Sequence, residues 1–263
     1  KGACLHNRIL FFCLAFFSGW VNSSVLSSKV ILQYGDLPLT PYISVLYGSP
    51  ADLSVSDALV VKKQGGFTSL GSNVFNKGIT DKIAWLSFTL DGTALVGDSI
   101  DLYLLIGNSS LSQIDIFIGG KPHGEYPTLG QKYEFPQRAI DQPEFIVPIR
   151  LKAGESAEFM LKVQSSTSLN IPLKIFTERE LLNSQLKQQF ILGAYYGLII
   201  IMCVFYFLVY GNTQEKVYLY FSASLASLVA VELQIDGYLF QYLYPSYPEV
   251  SFTVFASLAA AVY

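Results

Sequence analysis

Trp85-Leu86-Ser87-Phe88-Thr89-Leu90-Asp91-Gly92 decides the fold. In an extended chain successive side chains point to opposite faces, so Leu86, Phe88 and Leu90 share one side while Trp85, Ser87 and Thr89 share the other. The same period returns downstream. Leu102, Leu104 and Ile106 form one apolar face, as do Ile114, Ile116 and Ile118 around Asp115 and Phe117. Later come Phe145, Val147, Ile149 and Leu151, then Phe159, Leu161 and Val163, then Leu169, Ile171, Leu173 and Ile175. Asp91-Gly92, Gly107-Asn108, Gly119-Gly120 and Ala153-Gly154-Glu155 separate the runs as turns. Short alternating strands from Ile43 to Phe176 predict an all-β jelly-roll sandwich over residues 30–177, with a closed barrel as the structural rival.

Beyond Phe176 the period changes. Thr177 is placed to cap a connecting helix over residues 178–189, with Glu178 and Glu180 in its first turn. Phe190 to Tyr210 follows without a charged residue and with aromatics at both ends, long enough to cross a bilayer. Val217 to Leu233 is a second span, diluted by Ser222, Ser224 and Ser227, and a third begins near Val250. Residues 190–263 are therefore expected to hold the first three transmembrane helices of a larger bundle, and a chain that starts on Lys1 and stops inside an apolar run is expected to be part of a longer protein.

At the front, Lys1, His6 and Arg8 precede an apolar run from Ile9 to Phe17, and smaller or polar residues follow near Val21 to Ser24. That is the layout of a secretory signal peptide over residues 1–23; the rival, a first membrane helix, would need roughly 20 apolar residues. Export of the β domain then makes the first span run outward to inward, and the lone Lys216 to which the Gly211 to Glu215 link leads agrees with the positive-inside rule. The expected location is the bacterial inner membrane, multi-pass, with the β domain in the periplasm.

Composition supports a partly lipid-embedded chain. Of 263 residues, 51% are hydrophobic and only 14% charged, below the roughly 25% charged of soluble domains. A net charge of -3 gives no reason to expect a nucleic-acid partner. Cys4 and Cys13 fall in the signal and Cys203 in a span, so disulfides, thiol catalysis and cysteine metal sites are excluded from the exported part.

Catalytic signals are missing. His123 lies in a turn-rich stretch away from any nucleophile motif, and Asp52, Asp57, Asp98, Asp101 and Asp115 are scattered rather than paired. No metal cluster or phosphate-cradling loop is present, and no enzyme activity, metal or cofactor is expected. Trp85 stands on the polar face of its strand, where it would serve as a stacking platform for a sugar or be covered by an overlying loop. Arg138, with Gln137 beside it, offers bidentate donors to a ligand, or is a surface arginine. Trp85, Gln137 and Arg138 are the candidate ligand-binding residues. Glu232 and Asp236 mark the outer end of the second span, where acids reach water.

Several segments together resemble the bacterial seven-transmembrane receptors with diverse intracellular signalling modules (7TMR-DISM). They include Pro41-Tyr42-Ile43-Ser44-Val45-Leu46, Ala84-Trp85-Leu86-Ser87-Phe88, Phe135-Pro136-Gln137-Arg138 and the Ser-rich Val163-Gln164-Ser165-Ser166-Thr167-Ser168-Leu169. Gly193-Ala194-Tyr195-Tyr196-Gly197 and Asp236-Gly237-Tyr238-Leu239-Phe240 extend the likeness into the spans. The resemblance implies a periplasmic sensor for a small ligand such as a carbohydrate, coupled through the bilayer to a cytoplasmic diguanylate cyclase or histidine kinase, and it admits a homodimer. The alternatives are a membrane-anchored carbohydrate-binding module without signalling output and an exported hydrolase with a carboxylate pair.

Overall fold

The computed structural model describes residues 25–27, 35–50, 52–70, 74–93, 95, 97–119 and 126–250. The signal-like segment, Cys4, Cys13, His123 and residues 251–263 of the third apolar run lie outside them. Among the described residues the β domain contains β1 (Val25–Ser27), β2 (Asp36–Pro38), β3 (Ser44–Ser49), β4 (Thr68–Ser69), β5 (Phe75–Ile79) and β6 (Ile83–Asp91). These are followed by β7 (Ser99–Ile106), β8 (Gln113–Ile118), β9 (Phe145–Lys152), β10 (Ser156–Gln164), β11 (Ser168–Ile171) and β12 (Leu173–Thr177).

One sheet has the order β4-β3-β6-β10-β8, with β1 parallel to the far end of β6; the other has the order β2-β12-β7-β9, and β11 pairs with β5. From β6 to β10 the chain alternates between the two sheets, which is the winding of a jelly roll. The alternation expected at Leu86, Phe88 and Leu90 holds: all three enter one core with Phe159, Leu161 and Val163 of β10 and with Leu102, Leu104 and Ile106 of β7. Phe88 and Phe159, cross-strand partners, stack at 5.2 Å. Pro148 interrupts nothing because β9 is an edge strand.

Two differences from the sequence expectation have local causes. Leu169 to Ile175 divides at Pro172 into β11 and β12, which belong to different sheets. A helix, α1 (Val55–Lys63), also interrupts the expected run of strands. Ser54 caps it: the hydroxyl oxygen accepts from the Asp57 N–H at 3.2 Å and donates to the Asp57 carboxylate at 2.6 Å. Val55 and Ala58 of α1 then cover Trp85, Ile83 and Met160 on the outer face of the first sheet.

The helical part begins at Thr177 and contains α2 (Glu178–Thr213), α3 (Lys216–Ile235) and the short α4 (Tyr238–Tyr242). Connecting segment and first span are thus one continuous helix of 36 residues. α2 and α3 are long and apolar enough to cross a membrane, and side chains such as Phe190, 79% exposed, face outward as lipid contacts require. The pair is sealed by small polar groups: the Ser222 hydroxyl donates to the Cys203 carbonyl at 3.0 Å.

Candidate ligand cleft at the junction of sandwich and membrane helices

The geometry of the junction starts from β-strand register. Ile106 of β7 pairs with Phe145 of β9 and Leu173 of β12, so these residues mark one end of the second sheet, while Thr177 and Leu102 lie toward the other. α2 starts at that far end and returns over the outer face, where Leu181 packs against Ile146 and Phe176. Helical periodicity next brings Gln185, Gln188 and Gln189 past the loops that cap the Ile106 end, before the lipid-facing run begins.

A cleft of about 310 Å³ opens there, a volume within the range of small-molecule sites. Its β-domain wall is the Gly107–Ser110 turn, Glu144, Ser168 and Asn170; its helical wall is Gln185, Gln188 and Gln189 of α2 with Asp236 at the end of α3 and Tyr238 at the start of α4. Asn108 fixes the turn, donating to the Asn170 carbonyl at 2.8 Å and to the Ser168 carbonyl at 3.3 Å while accepting from the Ser110 N–H at 3.0 Å. Ser109 donates to the Ile235 carbonyl at 2.9 Å and so ties the turn to the last turn of α3.

The walls are incompletely satisfied. Asn170 Oδ1 and Gln185 Nε2 are buried without hydrogen-bond partners, one on each wall; groups of this kind usually find a partner and cost about 1–3 kcal/mol when they do not. Burial lifts the Glu144 carboxyl above the usual carboxylate range, and the charge of Asp236 adds to this. A long 3.5 Å contact from Gln188 Nε2 and the charge of Lys174 act in the opposite direction.

Beside the cleft, residues 135–143 dock the β domain onto α4. The Phe135 N–H donates to the Pro245 carbonyl at 2.8 Å, and its ring meets Phe240 edge-on at 5.6 Å. Gln241 Nε2 donates to Asp141 Oδ1 at 2.9 Å. Gly237, at φ +87°, packs so closely that an added Cβ would lie 3.2 Å from both Pro143 and Ser109.

The three residues expected to bind ligand are not brought together. Trp85 is fully buried under α1: its ring stacks on Phe117 at 5.7 Å and Lys162 Nζ lies 5.5 Å from its centroid, which leaves no face for a sugar. A helix rather than a loop covers it. Arg138 is not a surface arginine but is packed among aromatic rings. Its guanidinium lies 4.2 Å from the Phe135 centroid and 4.4 Å from that of Phe145, with Phe240 at 5.7 Å, and Nη1 donates to the Gln142 carbonyl at 3.1 Å and to that of Pro143. Burial lowers its pKa to about 10, so it stays charged at neutral pH. Gln137 is exposed and lines a separate cleft with Tyr133 and Tyr247. Asp236, expected to face interfacial water, accepts a hydrogen bond from the Tyr196 hydroxyl of α2.

Sequence reasoning missed the cleft because its walls come from five distant segments whose polar residues look like ordinary turns and helix faces. The triplet Gln185, Gln188 and Gln189, three amides on one helix face just before a membrane span, was the available signal.

Residues 40–177 match the family described as 7TMR-DISM extracellular 2, and residues 188–263 match 7TM diverse intracellular signalling. No curated protein matches the chain. Among solved structures, a family 35 carbohydrate binding module from an environmental isolate is 16% identical, with 41% of this chain and 78% of that one covered and a TM-score of 0.25. The C-terminal CBM6 of LamC from Zobellia galactanivorans is 11% identical, covering 41% and 90%, with a TM-score of 0.22. A carbohydrate binding module of Cellvibrio mixtus lichenase 5A, in complex with cellotriose, is 16% identical, covering 40% and 88%, with a TM-score of 0.21.

Proposed function

The chain belongs to the 7TMR-DISM family, and from that premise we propose that its β domain is the periplasmic sensor of a transmembrane receptor whose ligand binds in the junction cleft. The observation that carries this reading is the composition of the cleft walls, one from the sandwich and the other from α2 and the end of α3. A ligand shifts an equilibrium only by its differential affinity for two states. One that bridges these walls favours the arrangement that holds them at its own span, and so acts directly on the helices. α2 runs inward across the membrane, and the change in packing reaches a cytoplasmic module such as a diguanylate cyclase or histidine kinase. The β domain and helices bind and transmit; they do not catalyse.

The unpartnered acceptor of Asn170 and the unpartnered donor of Gln185 support a polyol. A hydroxyl donates and accepts at once, so the hydroxyls of a polyol suit an unpartnered acceptor on one wall and an unpartnered donor on the other. The test is a titration of the full chain in lipid nanodiscs with neutral and amino monosaccharides, read by calorimetry and by hydrogen exchange at residues 107–110 and 183–192. Binding should protect both segments and weaken roughly tenfold in Asn170→Ala and in Gln185→Ala, the loss of about 1.4 kcal/mol each. Binding that persists unchanged in both variants would move the site elsewhere.

A further inference from the structure

Among the described residues the junction cleft carries acids and no base: Glu144 and Asp236 both line it, and no Lys or Arg does. Neither acid is in an ion pair among the described residues: Glu144 meets the Gln188 amide and Asp236 the Tyr196 hydroxyl, both neutral donors. Lys174, whose charge acts on Glu144, is engaged elsewhere, 3.6 Å from Asp36 and 5.6 Å from the Phe176 ring.

A partly buried carboxylate without a cation is held at a cost, and Glu144 shows that cost in its raised proton affinity. The same walls hold the unpartnered Asn170 Oδ1 and Gln185 Nε2, so charge and hydrogen-bonding capacity are left over in one cavity. A cation entering the cleft would remove the charge imbalance, a neutral polyol would leave it, and an anion would add to it.

We propose that the ligand of the cleft carries a protonated amine as well as hydroxyl groups, its ammonium facing Glu144 and Asp236 while hydroxyls meet Asn170 and Gln185. An amino sugar has this chemistry. The inference rests on the cleft being the ligand site and specifies which ligands it accepts.

The test compares glucosamine, glucose and glucuronate, which share a ring and differ in charge, by calorimetry at neutral pH on the full chain in zwitterionic nanodiscs. Glucosamine should bind on the order of tenfold tighter than glucose, as a charge-assisted hydrogen bond contributes, and glucuronate should be the weakest. In Glu144→Gln the glucosamine-to-glucose ratio should fall toward one. Equal affinities for glucosamine and glucose, both reduced in Asn170→Ala, would keep the cleft as the sugar site and overturn the amine. A glucosamine preference that survives the double variant Glu144→Gln, Asp236→Asn would also overturn it. Absence of binding by all three at millimolar concentration would remove the cleft reading and the amine with it.

Discussion

Each sheet of the sandwich has its outer face covered by a helix, and the two covers are built differently. α1 lies on the first sheet through Val55 and Ala58, over Trp85 and Met160, and its far end is clasped by Lys62, which donates to Ser87 Oγ at 2.6 Å and pairs with Glu158. α2 lies on the second sheet through the buried Leu181 before its contact face turns polar. The first cover is apolar and encloses Trp85 fully, with Trp85 Nε1 unpartnered beneath it; the second leaves a cleft with unpartnered atoms on both walls. Closed packing serves the fold, whereas an interface left partly unsatisfied can still gain free energy from something added.

The largest effect expected from this contrast is at Trp85. Removing a fully buried indole costs about 3–5 kcal/mol, so Trp85→Ala should lower the melting temperature of the full chain sharply. At a permissive temperature it should leave sugar binding in the cleft intact. Trp85 Nε1 is itself buried without a partner, so Trp85→Phe, which deletes that orphan along with some volume, should cost much less than the alanine variant. Loss of sugar binding in a folded Trp85→Phe protein would break the division between a structural and a functional cover.

Arg138 should come next, with an effect confined to the junction. Its alanine variant loses contact with two rings within 4.4 Å and leaves the Gln142 and Pro143 carbonyls unsatisfied, a loss of about 2–3 kcal/mol. Hydrogen exchange should show residues 135–143 and 238–245 opening together while β6 and β10 remain protected. Arg138→Lys should not rescue them, since an ammonium cannot fill a slot shaped for a planar group. Opening that spreads equally through the sandwich would show that docking and folding are one event rather than two.

The sandwich was legible because burial on one face imposes a period of two, and Leu86, Phe88 and Leu90 carry that period without interruption. The membrane helices were legible for the corresponding reason, since lipid admits few charges along Phe190 to Tyr210. α1 was hidden by its shortness, although Ser54 followed by Asp57 is a capping signal three residues apart. The same alternation correctly put Trp85 opposite the core, but nothing local says whether that face meets water or a helix. Arg138 shows a related limit: Phe135 is near it in sequence, whereas Phe145 and Phe240 reach it only through the fold. The cleft was the least legible feature, because Asn108, Glu144, Asn170 and Gln185 acquire meaning only by meeting.

The smallest effect on stability, and the one of opposite sign, is expected at Gln185. A buried donor without a partner has lost its hydration and received nothing in return, so its removal should not weaken the fold. Leucine is a slightly better helix former than glutamine and suits an apolar environment. Gln185→Leu should therefore leave the melting temperature of the full chain unchanged or raise it by the equivalent of about 1 kcal/mol. Sugar affinity should fall together with it. Residues such as Leu181, whose truncation would lower stability, provide the contrast on the same helix, one turn earlier. If Gln185→Leu instead destabilises the chain, its amide has a structural role at the junction, and the cleft would be a second closed cover like the one over Trp85 rather than an opening kept for a ligand.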